Sequence, residues 1–228
     1  GMKNLIAYFN DNDDFIELYF RRRYTYDINI ALYDGHKVIS ALQMIPYEMT
    51  FFNEKIEASY ISGAATDPDY RNRGAMAQLL HDAHQSMYQK GVQLSFLIPA
   101  EKWLIDYYTK FGYETIFFSK FLQESNISLD KDFSLKIELV DKIDEYIYNY
   151  LSDSMLKIPS AVLHNYEDLS IVTEDINLAG GKIVVASRND SICGVSFAVP
   201  VENNVIIKAI IADSIEIKDA MFSKLKEH

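Results

Sequence analysis

Thr66–Leu80 reads TDPDYRNRGAMAQLL, and the rest of the chain can be laid out from it. A strand running into this stretch must end at Pro68, which has no N–H to give a ladder. A short loop with Arg71, Arg73 and Gly74 then opens into a helical pattern from Gly74 to Lys90. Leu79, Leu80, Ala83 and Met87 share one face of that helix. The first turn of such a helix carries unpaired N–H groups and about half a positive charge from the helix dipole. Gly74 has no Cβ, so an anion can approach the backbone closely. Arg71 and Arg73 can add charge-assisted contacts. The segment has the make-up of an anion site sized for a pyrophosphate. Taken alone, these residues fit a solvated basic helix start equally well.

Upstream, Asn12, Asp13 and Asp14 supply cap candidates for a helix with Phe15, Leu18 and Tyr19 at i, i+3 and i+4. Ile28 to Tyr33 alternates, Asp34-Gly35 marks a hairpin, and Lys37 to Pro46 continues as a strand that Tyr47 to Phe52 extends. After a turn at Asn53–Lys55, Ile56 to Thr66 is the next strand. Downstream, Gly91 stops the central helix and Val92 to Ile98 is a short buried strand. A second helix spans about Glu101 to Phe111, Gly112 ends it, and Tyr113 to Phe121 is again a strand. The order predicts an α+β fold, a central and mostly antiparallel sheet with docked helices.

Strand, YRNRGAM, helix, strand and YYTKFGYE, in that order, resemble the GNAT superfamily of N-acetyltransferases. Arg71-Asn72-Arg73-Gly74-Ala75-Met76 follows that superfamily's Arg-x-x-Gly-x-Gly/Ala loop, departing from it at Met76. Tyr108-Thr109-Lys110-Phe111-Gly112-Tyr113 fills every key position of its Tyr-x-Lys-x-Gly-Phe/Tyr segment. The resemblance covers Asn12 to Phe121 and implies that residues 2–121 form an acetyl-CoA-binding catalytic domain. It implies acetyl-CoA as cosubstrate without a metal, the pyrophosphate on Arg71 to Met76, and a primary amine of a small molecule or peptide as acceptor. Backbone groups at Gly63, Ala64, Ala65 and Thr66 would follow the pantetheine arm and the acetyl carbonyl. Ala100 and Glu101, at the start of the next helix, would touch the cofactor. Tyr108 would be the general acid for the leaving thiolate, since a tyrosine near its ordinary pKa of about 10 is protonated at neutral pH. Tyr107 is its rival. The base stays open among Glu57, Ser59, Tyr60, Glu48, a water chain and an already neutral amine. A CoA-binding regulatory or assembly module without turnover is the alternative reading, and a scaffold that binds no coenzyme A is a third. The intact Tyr108 segment favours the enzyme.

The second half echoes the first. Ile30–Pro46 (IALYDGHKVISALQMIP) and Val184–Pro200 (VVASRNDSICGVSFAVP) have equal length, and each is strand, polar turn, strand and final proline. A helix near Lys142 to Leu151 precedes the second unit, a strand at Val205 to Ala212 follows, and then a helix containing Lys218 to Met221. This predicts a linker over 122–135 and a partial, degenerate GNAT-like lobe over 136–228. Setting Ala220-Met221 on Ala75-Met76 puts Asp219 in the place of Gly74, Glu216 in that of Arg71 and Lys218 in that of Arg73. The second lobe is therefore expected to bind no coenzyme A. Within the superfamily the plan resembles the tandem-GNAT "enhanced intracellular survival" type. Many of those proteins add a sterol-carrier-like third domain, for which 228 residues are too few, so its terminal carboxylate is not carried over.

Composition sets the outer bounds. Hydrophobic residues make up 49 % and charged residues 24 %, an ordinary globular balance. The formal charge of −11, from 22 Lys+Arg against 33 Asp+Glu, makes nucleic acid and anionic membranes poor partners and tolerates a cationic amine. No apolar run reaches the ~18–20 residues of a membrane span. Cys193 is the only cysteine, which excludes an internal disulfide and suits a cytoplasmic setting. Gly1 reads as a tag scar. His81 and His84 share a helix face without a further well-spaced ligand, so no metal is expected. A homo-oligomer is compatible with all of this.

Overall fold

A computed structural model of the chain describes residues 13–52, 54–118, 134–202 and 204–226. The chain divides into two compact units, Gly1–Lys120 and Phe121–His228.

In the first unit, α1 (Asp13–Arg22) has aspartates in its first turn and arginines in its last, each suited to the nearer end of the dipole. Then β1 (Asn29–Asp34), β2 (Lys37–Phe51), β3 (Glu54–Thr66) and β4 (Leu94–Phe96) line up in that order. The first three are antiparallel and β4 joins β3 in parallel. The helix α2 (Ala75–Gln89) makes the β3–β4 crossover, and α3 (Trp103–Thr109) follows β4. One face of the sheet packs Leu42, Met44 and Ile61 against Leu79, Leu80, Ala83 and Met87 of α2, with Tyr108 of α3 in the same cluster. The opposite face packs Ala41 and Ala65 against Ile16 of α1.

The second unit has β5 (Leu135–Val140), α4 (Glu145–Met155), β6 (Val162–Leu163) and α5 (Tyr166–Leu178), then β7 (Lys182–Arg188), β8 (Ser191–Val201), β9 (Asn204–Ala212) and α6 (Ile215–Lys226). Its sheet runs β5-β7-β8-β9, all antiparallel. Helices α4 and α5 cover one face through Ile147, Leu151, Leu169 and Ile176, and α6 covers the other through Ile217, Met221 and Leu225. The hairpin pairs Asp34↔Lys37 and Arg188↔Ser191 hold matching places, as do the register shifts at Leu32/Tyr33 and Ala186/Ser187. Cys193 is buried against the α6 face as a small apolar residue.

Several expectations need correction. Tyr113 to Phe118 joins no ladder among the described residues: the Tyr113 ring packs into the α2-side cluster, and Ile116, Phe117 and Phe118 lie exposed; residues 119–121 lie outside the described residues. So does most of the expected linker, of which Leu135 belongs to β5 instead. The alternation Leu135, Ile137, Leu139 was the signal for that strand. Helix α5 is not among the elements expected above, although Asn165 and Asp168 form a complete capping box at its start. Finally, α6 begins at Ile215, where Ser214 accepts from the Ile217 N–H. Asp219 therefore sits inside the helix and not in the place of Gly74, because a serine cap starts the helix earlier than the Ala-Met alignment requires.

Gly181 allows a test of this packing. A Cβ there would stand 2.3 Å from the Ala198 carbonyl oxygen and 2.9 Å from that of Ile176, and neither backbone atom can yield cheaply. Gly181→Ala should cost about 1–3 kcal/mol in urea denaturation, the usual range for overpacking. An unchanged midpoint would contradict the contact.

Candidate active site

Where β3 leaves β4, the strand carries a bulge. Gln43 pairs with Ser62 and Ala41 with Ala65, so three steps on β3 face two on β2. Gly63 takes up the difference at φ +58°, a conformation that glycine adopts without penalty. The last β3–β4 pair among the described residues is Tyr60↔Phe96, so Ile61 to Thr66 runs on with that side open. The bulge also sorts the small residues. Ala64 packs into the α2-side cluster with Met76 and Tyr108, and Ala65 packs on the α1 side.

The chain then turns into α2. Asp67 caps a short 3-10 turn at Pro68–Tyr70 by accepting from the Asp69 N–H. Asn72 (φ +59°) and Gly74 (φ +83°) are both left-handed and bracket Arg73. Gly74 is the N-cap of α2, and the first intrahelical bond runs from the Gln78 N–H to the Gly74 carbonyl. The N–H groups of Ala75, Met76 and Ala77 stand ahead of it with no intrahelical acceptor. A Cβ added at Gly74 would meet nothing within 4 Å, so the space before the loop is open.

The basic side chains of the loop are held by their neighbours. Arg71 Nε donates to the Thr66 carbonyl at 3.2 Å, tying the loop to the end of β3. Arg73 and Lys37 both lie over the Tyr70 ring, 5.4 and 5.1 Å from its centre. The Tyr70 hydroxyl donates to Asp34 at 2.6 Å, and Lys37 pairs with Asp67 at 2.9 Å. The Lys37 ammonium beside it holds the Asp67 carboxyl below its usual range. Tyr70 thus serves as a post for the loop, which the motif alone does not reveal.

Tyr108 is 9 % exposed, and its hydroxyl makes no hydrogen bond among the described residues. Burial, then the neighbouring Tyr107, Tyr113 and Tyr60, push its pKa up to about 12. Its ring meets Tyr113 edge-on at 5.8 Å. The Tyr113 hydroxyl is itself fixed by His84 Nε2, at 2.9 Å, and by Ser95. Tyr107 is half-buried and also raised by burial.

Ala100 and Glu101 are exposed and precede α3, which begins only at Trp103; the Glu101 carboxylate accepts from the Trp103 indole at 2.6 Å. Glu48 and Glu57 face each other across β2 and β3, six residues from Gly63 and hence roughly 20 Å along the strand. Glu48 is paired with Lys55. Among the described residues no group of three or more His, Cys, Asp or Glu could hold a metal, and no helix is long and apolar enough to cross a membrane.

The family model of the acetyltransferase (GNAT) domain matches residues 2–116, half of the chain. The chain belongs to that family. Its bulged β3 and Gly74-capped α2 both lie within the matched span, making this an acetyltransferase domain. Solved GNAT-like structures share the fold across both units. A conserved Enterococcus faecalis protein described as a probable N-acyltransferase matches at TM-score 0.76 and 15 % identity, over 100 % of this chain and 59 % of that one. A GCN5-related N-acetyltransferase from Anabaena variabilis matches at 0.75 and 17 %, over 100 % and 59 %. Eis1 from Mycobacterium abscessus matches at 0.63 and 11 %, over 95 % and 60 %. The chain thus spans about three fifths of the length of these structures. No curated protein matches it.

Proposed function

We propose that the chain moves an acetyl group from acetyl-CoA to a primary amine of a small molecule or peptide, using the first unit alone. The observation that carries this is the clustering of Ala64, Met76 and Tyr108 where the Gly63 bulge opens away from β4. The open space before Gly74 and the leading N–H groups of α2 fit a diphosphate, and Arg71 and Arg73 supply positive charge beside it. Ala64, Ala65 and Thr66 offer an unpaired strand edge to an extended pantetheine arm, as one strand offers another. Near the bulge, backbone N–H groups can polarise the thioester carbonyl. Tyr108 keeps its proton through neutral pH and can give it to the leaving sulfur. Ala100 and Glu101 would at most touch the cofactor from its edge. Thiol release from acetyl-CoA against a panel of amines tests the reading; binding without amine-dependent release would leave a CoA-binding module instead.

The second unit supports a tandem-GNAT plan of the "enhanced intracellular survival" type, since its hairpin and first register shift repeat those of the first unit. Its helix start is unsuited to an anion. Ser214 already caps α6, and Glu216 in the first turn is held below its usual range by a hydrogen bond with Ser214, so it stays ionised where a phosphate would sit. Calorimetric titration should give one coenzyme A per chain. Two equivalent sites would overturn this assignment. A cytoplasmic location suits a reaction that draws on acetyl-CoA.

A further inference from the structure

On the α1 face of the sheet, beside the bulge, lies a polar cluster that core packing does not call for. Gln43 on β2 is wholly buried, 0 % exposed, directly opposite Ser62. Its Oε1 accepts a hydrogen bond from the Tyr19 hydroxyl of α1, which brings that hydroxyl to the place where Gln43 and Ser62 pair. The Nε2 of Gln43 has no partner among the described residues. A buried donor left unpaired is a net cost, and an apolar side chain of similar length would fill the place without it. What the carboxamide provides is a fixed position for the Tyr19 hydroxyl, one residue from Gly63. Local rules broken in this way are expected at functional sites.

We propose that Tyr19 receives the acceptor amine: its hydroxyl, with its proton directed to Gln43, accepts an N–H from the attacking nitrogen on the sheet face opposite Tyr108. This rests on the reading of the bulge as the acyl site. Ile61 and Ala64 pack with Tyr108 on the α2 side, and Ser62 between them stands opposite the Gln43 that holds Tyr19, so Tyr19 and Tyr108 flank one stretch of β3 from its two sides. The nitrogen lone pair forms the N–C bond and the C–S bond breaks with its electrons on sulfur. Sulfur takes the Tyr108 proton, the nitrogen releases its surplus proton to water, and Tyr108 is reprotonated from water. Gln43 and Ser62 are positioning residues.

The cluster also narrows the acceptor. Burial raises the Tyr19 phenol above its ordinary value, so it orients an amine but does not deprotonate an ammonium. Arg23 lies one turn along from Tyr19 and donates to the Tyr47 hydroxyl at 2.7 Å, placing a fixed cation on the same face. Both features select a weakly basic amine, such as an arylamine or the α-amino group of an amino-acid amide, over an alkyl polyamine.

The test is Tyr19→Phe in the full chain, with three readouts. Coenzyme A affinity should stay within about twofold, kcat/KM for glycinamide should fall about tenfold or more, and acetyl-CoA hydrolysis without amine should fall by clearly less than aminolysis. Gln43→Met, which keeps the hydroxyl but removes its anchor, should fall between, and it carries the test if Tyr19→Phe does not fold. Unchanged aminolysis, equal losses in aminolysis and hydrolysis, or a wild-type preference for spermidine over glycinamide would overturn the proposal. A wild type that binds no coenzyme A would remove the underlying site as well, and the affinity readout tells the two failures apart.

Discussion

Gly74→Asp is expected to weaken coenzyme A binding by about a hundredfold or more. Gly74 is the N-cap of α2 at φ +83°, with open space before it. An aspartate there puts a carboxylate where the diphosphate is proposed to lie. Two like charges at 4 Å interact by about 4 kcal/mol at an effective dielectric of 20, more than the ~2.7 kcal/mol that a hundredfold requires. Folding should lose about 1 kcal/mol, because an aspartate at φ +83° is strained, although less so than most residues. Gly74→Asn keeps the shape without the charge and should bind markedly better than the aspartate. Calorimetry reads both; equal affinity for wild type and Gly74→Asp would move the diphosphate elsewhere.

Tyr108→Phe should leave coenzyme A affinity within about twofold and lower the chemical step by about 10²-fold, the lower end for a general acid that water can partly replace. The buried hydroxyl has a pKa of about 12, so the donor form persists far above neutrality. The sign follows directly. Raising the pKa of an acid extends its protonated form to higher pH, so wild-type turnover should show no alkaline fall from Tyr108 up to about pH 10–11. Single-turnover rates across pH check both statements. An unchanged rate in the phenylalanine variant would transfer the role to Tyr107, whose ring lies 5.5 Å from that of Tyr108.

Much of the first unit was legible because its signals are local. Pro68, Gly74 and the apolar stripe of α2 set the strand end, the cap and the buried face within one stretch of chain. The hairpin at Asp34-Gly35 was equally plain. What escaped depends on distant partners. The Gly63 bulge appears only when β2 and β3 are paired, and the Tyr19–Gln43–Ser62 cluster joins residues from three elements. Tyr113 reads as the start of a strand, and its role in joining His84 to Ser95 through one hydroxyl appears only in the folded chain. In the second unit the starts of α6 and α5 are set by local caps, Ser214 and the Asn165–Asp168 box, and not by the Ala220-Met221 correspondence.

A crystal structure of the full chain with bound coenzyme A tests the central claim most directly. The account expects the diphosphate against the N–H groups of Arg73 to Met76, the pantetheine along Ala64 to Thr66, and the sulfur within about 3–3.5 Å of the Tyr108 hydroxyl. Coenzyme A seated on the second unit, or a sulfur turned away from Tyr108 toward another donor, would contradict it.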